Sequence, residues 1–293
     1  MYVRLLNEGI PTKDIISMLV LPLNRENNIF SSILMREPNV LEIPFENKLN
    51  GDEIYCIYGL LSHYIEEEIA ITPEEYNLYL AYKLILEPQS LTTEEIAIIY
   101  NDNDQIVNKE VAYFFLLWKK KVGNISEKDY NVLMEISEDR LAYRYEIADK
   151  ELQKMGLSFD KLLKMYPEKA AFLFRKMLEF HECRYNITGK YLLYMNYESF
   201  LHIYLRHVKE LAVENQFSER SKFQLDEKDL KYTMNIVLRN INKEYQKFKD
   251  ENPNKRFFCK GNMAYYYNGD YYDIDVAPDG RLASFYKRTS TNL

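Results

Sequence analysis

The chain has 293 residues, 47% of them apolar and 28% charged, with a formal net charge of −7. That is the balance of an ordinary globular protein with room for two domains, and it excludes low-complexity and collagen-like chains. Three widely spaced cysteines (Cys56, Cys183, Cys259) argue against a disulfide framework and for a reducing, cytoplasmic setting.

The N-terminus shows no basic-then-apolar leader pattern, and no apolar run approaches the ~18 residues of a membrane span, so no membrane partner is expected. The 26 tyrosines suit half-wet surfaces and interfaces, where the ring is buried and the hydroxyl hydrogen-bonded. Codon bias in an AT-rich genome accounts for them equally well.

From the start to about residue 189 the chain is punctuated by helix signals. The stretch from Pro38 to Gly51 reads as an irregular loop. Thr72-Pro73-Glu74-Glu75 places an N-cap, a first-turn proline and a capping-box glutamate in order, and Thr92 with Glu95 repeats the box. Val111–Trp118 is the strongest apolar stretch, ended by Lys119–Lys121, and predicts a buried helix. Ser126 with Asp129 is a weaker start, Gly156 a C-terminal cap, and Pro167 opens a helix running to about Cys183. Residues 71–77 resemble residues 125–131. This is either a degenerate helical repeat or convergent capping chemistry, and nothing else aligns at that offset. His63 is a lone histidine among apolar neighbours and reads as structural.

Near residue 190 the character changes. Residues 1–189 hold 21 Lys and Arg against 31 Asp and Glu, net −10, whereas residues 190–293 hold 17 against 14, net +3. The second part begins with an amphipathic helix from Glu198 to about Glu214, followed by a long Lys-rich helix from Asp226 to about Lys249. The period then becomes two. Met263–Tyr267 and Tyr271–Val276 flank Asn268-Gly269, a strong hairpin signal, and Pro278-Asp279-Gly280 leads to a strand at Leu282–Tyr286. In Tyr272-Asp273-Ile274-Asp275-Val276 apolar residues alternate with aspartates, so one face is predicted buried and the other wet. The expected architecture is a mainly α N-terminal domain, 1–189, plus an α+β C-terminal domain, 190–293, with a three- to four-stranded antiparallel sheet. The first reads as a docking, delivery or restraining module.

The only cluster suggesting chemistry is His202-Ile203-Tyr204-Leu205-Arg206-His207. On a helix His202 and Arg206 share a face, with His207 about 100° away. A neutral imidazole can take the proton of an RNA 2′-OH, an imidazolium can supply one to the leaving 5′-oxygen, and a guanidinium can hold the charged phosphorane. Ser218, Ser221 and Lys222, near the start of the next helix, and Arg239 within it are candidate substrate-binding groups for a phosphate. Ser284 and Tyr286 share one face of the last strand. No metal or cofactor is expected: P-loop, dinucleotide, zincin and hydrolase-elbow motifs are absent from the sequence, and His and Cys spacings do not suit zinc.

This order resembles the toxin-like ribonucleases of the barnase–EndoU–colicin–RelE superfamily, in the versions found on phage-borne and polymorphic toxins. It comprises a His-x-x-x-Arg-His helix, a hydroxyl-bearing segment, a long helix, a hairpin, and a closing Asp279-Gly280-x-x-x-Ser284-Phe285-Tyr286 strand. The resemblance covers about residues 196–288. It implies metal-independent RNA cleavage, often of tRNA, leaving a 2′,3′-cyclic phosphate. It implies catalytic roles for His202, Arg206, His207, Ser284 and Tyr286. RNA is then the expected substrate and an immunity protein an expected partner. Asp273 and Asp275 depart from the pattern by placing negative charge beside the RNA face. The competing expectation is a non-catalytic phage or mobile-element protein that grips and inhibits a protein partner through helices and tyrosines.

Overall fold

A computed structural model describes residues 51–103, 105–186, 188–213 and 225–288. The loop expected over Pro38–Gly51 lies outside them apart from Gly51, which opens the first helix. Most of the described chain is helical, with an antiparallel sheet of four strands near its C-terminal end and a second, two-stranded sheet.

Its contacts define two units. The first extends to Tyr143, and the second comprises Glu68–Ala70 and the chain from Arg144 onward. The division therefore falls inside a helix, and the expected boundary at 189/190 lies within the second unit. The physical reason is visible at Arg144. Its guanidinium donates to the carbonyls of Met177, Leu178 and Phe180 at 2.7, 3.1 and 2.9 Å, while Tyr197 Oη donates to the Arg144 carbonyl at 2.9 Å. Of the stretch expected as a break, the described residues Asn186 and Thr188 are also tied down. Asn186 is buried, Asn242 Nδ2 donates to Thr188 O, and Gln246 brackets the backbone of Tyr191.

In the first unit, α1 (Gly51–Glu66) and α4 (Lys109–Lys121) both pack on α2 (Pro73–Leu86). The core runs through Ile57, Leu61, Leu80, Tyr82, Val111 and Phe114. Both predicted capping boxes form, at Thr72/Glu75 for α2 and Thr92/Glu95 for α3 (Thr93–Ile99). Glu95 also accepts two hydrogen bonds from Lys83 Nζ, at 3.0 and 2.8 Å, in a buried ion pair. The helix α5 (Glu127–Gln153) opens with Ser126 Oγ accepting from Asp129 N. It ends at a left-handed Gly156, φ +73°.

The second unit continues with α6 (Phe159–Met165) and α7 (Pro167–Glu179). The short strands β1 (Cys183–Arg184) and β2 (Tyr194–Met195) pair antiparallel. The helix expected to reach Cys183 stops at Glu179, so that the chain can enter β1. After α8 (Tyr197–His207) and α9 (Glu227–Glu251) comes the larger sheet, of β3 (Phe257–Cys259), β4 (Tyr265–Tyr267), β5 (Asp270–Val276) and β6 (Leu282–Lys287).

The central strand is β5, with β6 along one edge and β3 then β4 along the other. Cys259 pairs with Ile274 and Tyr265 with Tyr272, so residues 260–264 form an excursion opposite the single residue Asp273. A 3₁₀ turn at Gly261–Met263 fills it, which is why the strand predicted from Met263 begins at Tyr265. The Asn268-Gly269 turn has φ +50° and +90°, the left-handed pair that a two-residue hairpin matching strand twist requires.

One sheet face carries Phe257, Cys259, Tyr272, Ile274, Val276 and Phe285, all buried. Helix α9 covers it, with Tyr245 and Phe248 edge-on to Phe257 at 5.5 and 5.3 Å. Pairing register puts Phe258, Tyr266, Tyr271, Asp273, Asp275, Ser284 and Tyr286 on the other face. That face was expected to be wet, yet Asp273 and Asp275 are only 3% and 8% exposed. Cations lie over them: Arg288 Nε is 3.1 Å from Asp273, and Arg256 Nε and Lys260 Nζ are 2.9 and 3.0 Å from Asp275.

Candidate functional site

Helix α8 forms because Asn196 caps it, its side chain accepting from Ser199 N at 3.0 Å. Phe200, Leu201, Ile203, Tyr204 and Leu205 then bury one broad stripe. The helix ends at His207, seven residues before the predicted end. There the backbone leaves the helical ladder for a parallel bridge with Leu225: Leu225 N donates to His207 O, and Lys209 N to Leu225 O, both at 2.9 Å. His202 and Arg206 are half-buried on adjacent turns, whereas His207 is 8% exposed. Of the two predicted histidines, therefore, His202 is the one that reaches the surface.

His202 Nδ1 lies 3.6 Å from Glu151 Oε2 on α5, longer than a hydrogen bond and within ion-pair range. Lys154 Nζ contacts the other Glu151 oxygen. Burial pushes the Glu151 carboxyl up, but His202 and Lys154 outweigh it and hold the group at about 2. Glu151 and Glu198 line a cavity of about 610 Å³ together with Ile147, Lys150, Gln153 and Lys154. Arg281 Nη1 donates to Glu198 at 2.8 Å. Sequence reasoning missed Glu151 because it lies some fifty positions from His202 and carries no local signature.

Glu151 yields an acid-stability prediction. Its folded pKa, about 2, lies below the ordinary 4.5. The pairing therefore stabilises the fold above the ordinary value, and that stability is lost as pH falls toward 2. Glu151→Gln is expected to be less stable than wild type at neutral pH, with the gap narrowing from about pH 4 downward. Urea melts at pH 7 and pH 3 check this; a gap that stays constant refutes it.

The remaining predicted residues fall on the sheet or outside the described chain. Ser284 Oγ is enclosed on the polar face with no hydrogen-bond partner among the described residues. The Tyr286 hydroxyl is pushed up by burial and by Asp273 beside it, so it stays a neutral phenol. Arg239 is half-buried on α9, its Nε likewise enclosed without a hydrogen-bond partner among the described residues. Ser218, Ser221 and Lys222 lie outside the described residues. The register thus brings Ser284 and Tyr286 together with Asp275 and Asp273, and α8 meets α5 at His202 and Glu151.

No helix among the described residues is long and apolar enough to cross a membrane. The chain matches no protein-family model, no curated protein and no solved structure.

Proposed function

We propose that the second unit is a metal-independent RNA endonuclease in which His202 is the acid–base group, Glu151 orients it, and Arg206 meets the phosphate. One observation carries this reading: the His202 imidazole lies 3.6 Å from a carboxylate, Glu151, that itself lines a cavity. Facing Nδ1, the carboxylate biases the orientation of the ring. His202 removes the 2′-OH proton, the 2′-oxygen bonds to phosphorus, and the P–O5′ bond breaks. The imidazolium then returns its proton to the 5′-oxygen, leaving a 2′,3′-cyclic phosphate and a 5′-hydroxyl. Arg206, one helical turn from His202, is the guanidinium we assign to the phosphorane charge.

The test is cleavage of end-labelled RNA by the whole chain in EDTA, with product ends identified by mass spectrometry. The expected result is cyclic phosphate ends, and a rate about 10²–10⁴-fold lower for His202→Ala. Cleavage by His202→Ala at the wild-type rate, or cleavage that requires added magnesium, overturns the mechanism.

A further inference from the structure

The polar sheet face is an assembly that stability alone does not explain. Four large apolar side chains stand exposed on or beside it: Phe258 at 46%, Met263 at 67%, Tyr266 at 59% and Tyr271 at 39%. The rings of Tyr266 and Tyr271 sit across the hairpin at 5.1 Å. Phe258 has Arg256 and Lys260 over its face, at 5.9 and 5.2 Å. Beneath the cations lie the buried Asp273 and Asp275. Buried ion pairs contribute little net stability compared with apolar residues of similar volume. What these do supply is placement: Arg256, Lys260 and Arg288 are each tethered to a carboxylate of this face. In a chain of net −7, residues 253–288 carry six Lys and Arg against four Asp, net +2.

We infer that this face binds single-stranded RNA, its unpaired bases stacking on Tyr266 and Tyr271 and its backbone following the fixed cations. Every base offers a π-face to an aromatic ring, and cations between rings neutralise the phosphates linking successive bases. The rings stand on strands closed by a two-residue turn, so little ordering cost falls on binding. Paired bases are already stacked on each other, so a duplex is excluded from the rings. The choice of RNA rests on the nuclease reading; the stacking surface rests on the sheet itself.

The probe is a short fluorescein-labelled 2′-O-methyl RNA strand, which 2′-OH attack cannot cut. Its binding to the whole chain is followed by anisotropy. The single strand is expected to bind at least about tenfold more tightly than its annealed duplex. Tyr266→Ala with Tyr271→Ala is expected to weaken binding about 100-fold, with thermal unfolding and salt dependence close to wild type. Tyr266→Phe with Tyr271→Phe keeps the rings and is expected to keep the affinity. Equal affinity for strand and duplex overturns the inference, as does an alanine pair that binds like wild type. So does a Tyr266- and Tyr271-dependent protein complex without RNA binding. Tyrosine-dependent binding without cleavage removes the nuclease and leaves the surface standing. His202-dependent cleavage with tyrosine-independent binding does the reverse.

Discussion

Gly280→Ala is expected to destabilise the second unit by about 3–5 kcal/mol, enough to unfold a marginal domain. Gly280 has φ +89°, and a β-carbon there would lie 1.8 Å from the carbonyl oxygen of Leu192 and 2.7 Å from its carbon. Both are backbone atoms, so no rotamer change relieves the overlap. The neighbouring hydrogen bond from Tyr194 N to Gly280 O, 3.0 Å, must lengthen or break as the strands separate. Gly269→Ala is the control. Its φ is +90°, but nothing lies within 4 Å of the added carbon, so backbone strain alone is expected to cost about 1 kcal/mol. Urea unfolding of the two variants separates close approach from strain, and equal losses would contradict it.

Lys249→Met is expected to cost about 3 kcal/mol. Lys249 is 2% exposed, and its ammonium donates to the carbonyls of Pro253 and, at 2.8 Å, Pro278, with Lys255 O at 3.5 Å. It lies in the last turn of α9 and fastens that helix to the turn before β6. Burial lowers its pKa, so the carbonyls are what keep a charged group there. Methionine fills the space but leaves buried acceptors without a donor, each costing about 1–3 kcal/mol. A shift in the denaturation midpoint with an unchanged slope is the expected signature. A variant as stable as wild type would show that water satisfies those carbonyls.

Local chemistry made part of this fold legible. Thr72, Thr92 and the Asn268-Gly269 turn each act within a few residues of themselves, and each behaves as its neighbours dictate. Elements defined by distant partners were not legible. β3 is three residues long and exists because β5 offers it an edge. The Asn186–Gly189 stretch looks like a break until α9 is seen holding Thr188 and Tyr191. The same holds for the candidate site. The shared face of His202 and Arg206 follows from their spacing, but Glu151 and the cations over Asp273 and Asp275 are supplied by the tertiary fold.

Glu95 shows where sequence drift would be obstructed. One carboxylate both closes the capping box of α3, accepting from Thr92 N at 2.8 Å, and neutralises the buried Lys83. Glutamine could retain the cap but would strand an ammonium, and aspartate is a methylene short for both partners. Lys83 alone cannot change without leaving Glu95 buried and uncompensated. An evolutionary path away from this pair must therefore pass through a damaged intermediate or change both positions at once. Among descendants of this chain, residues 83 and 95 are expected to covary, with the capping threonine following position 95.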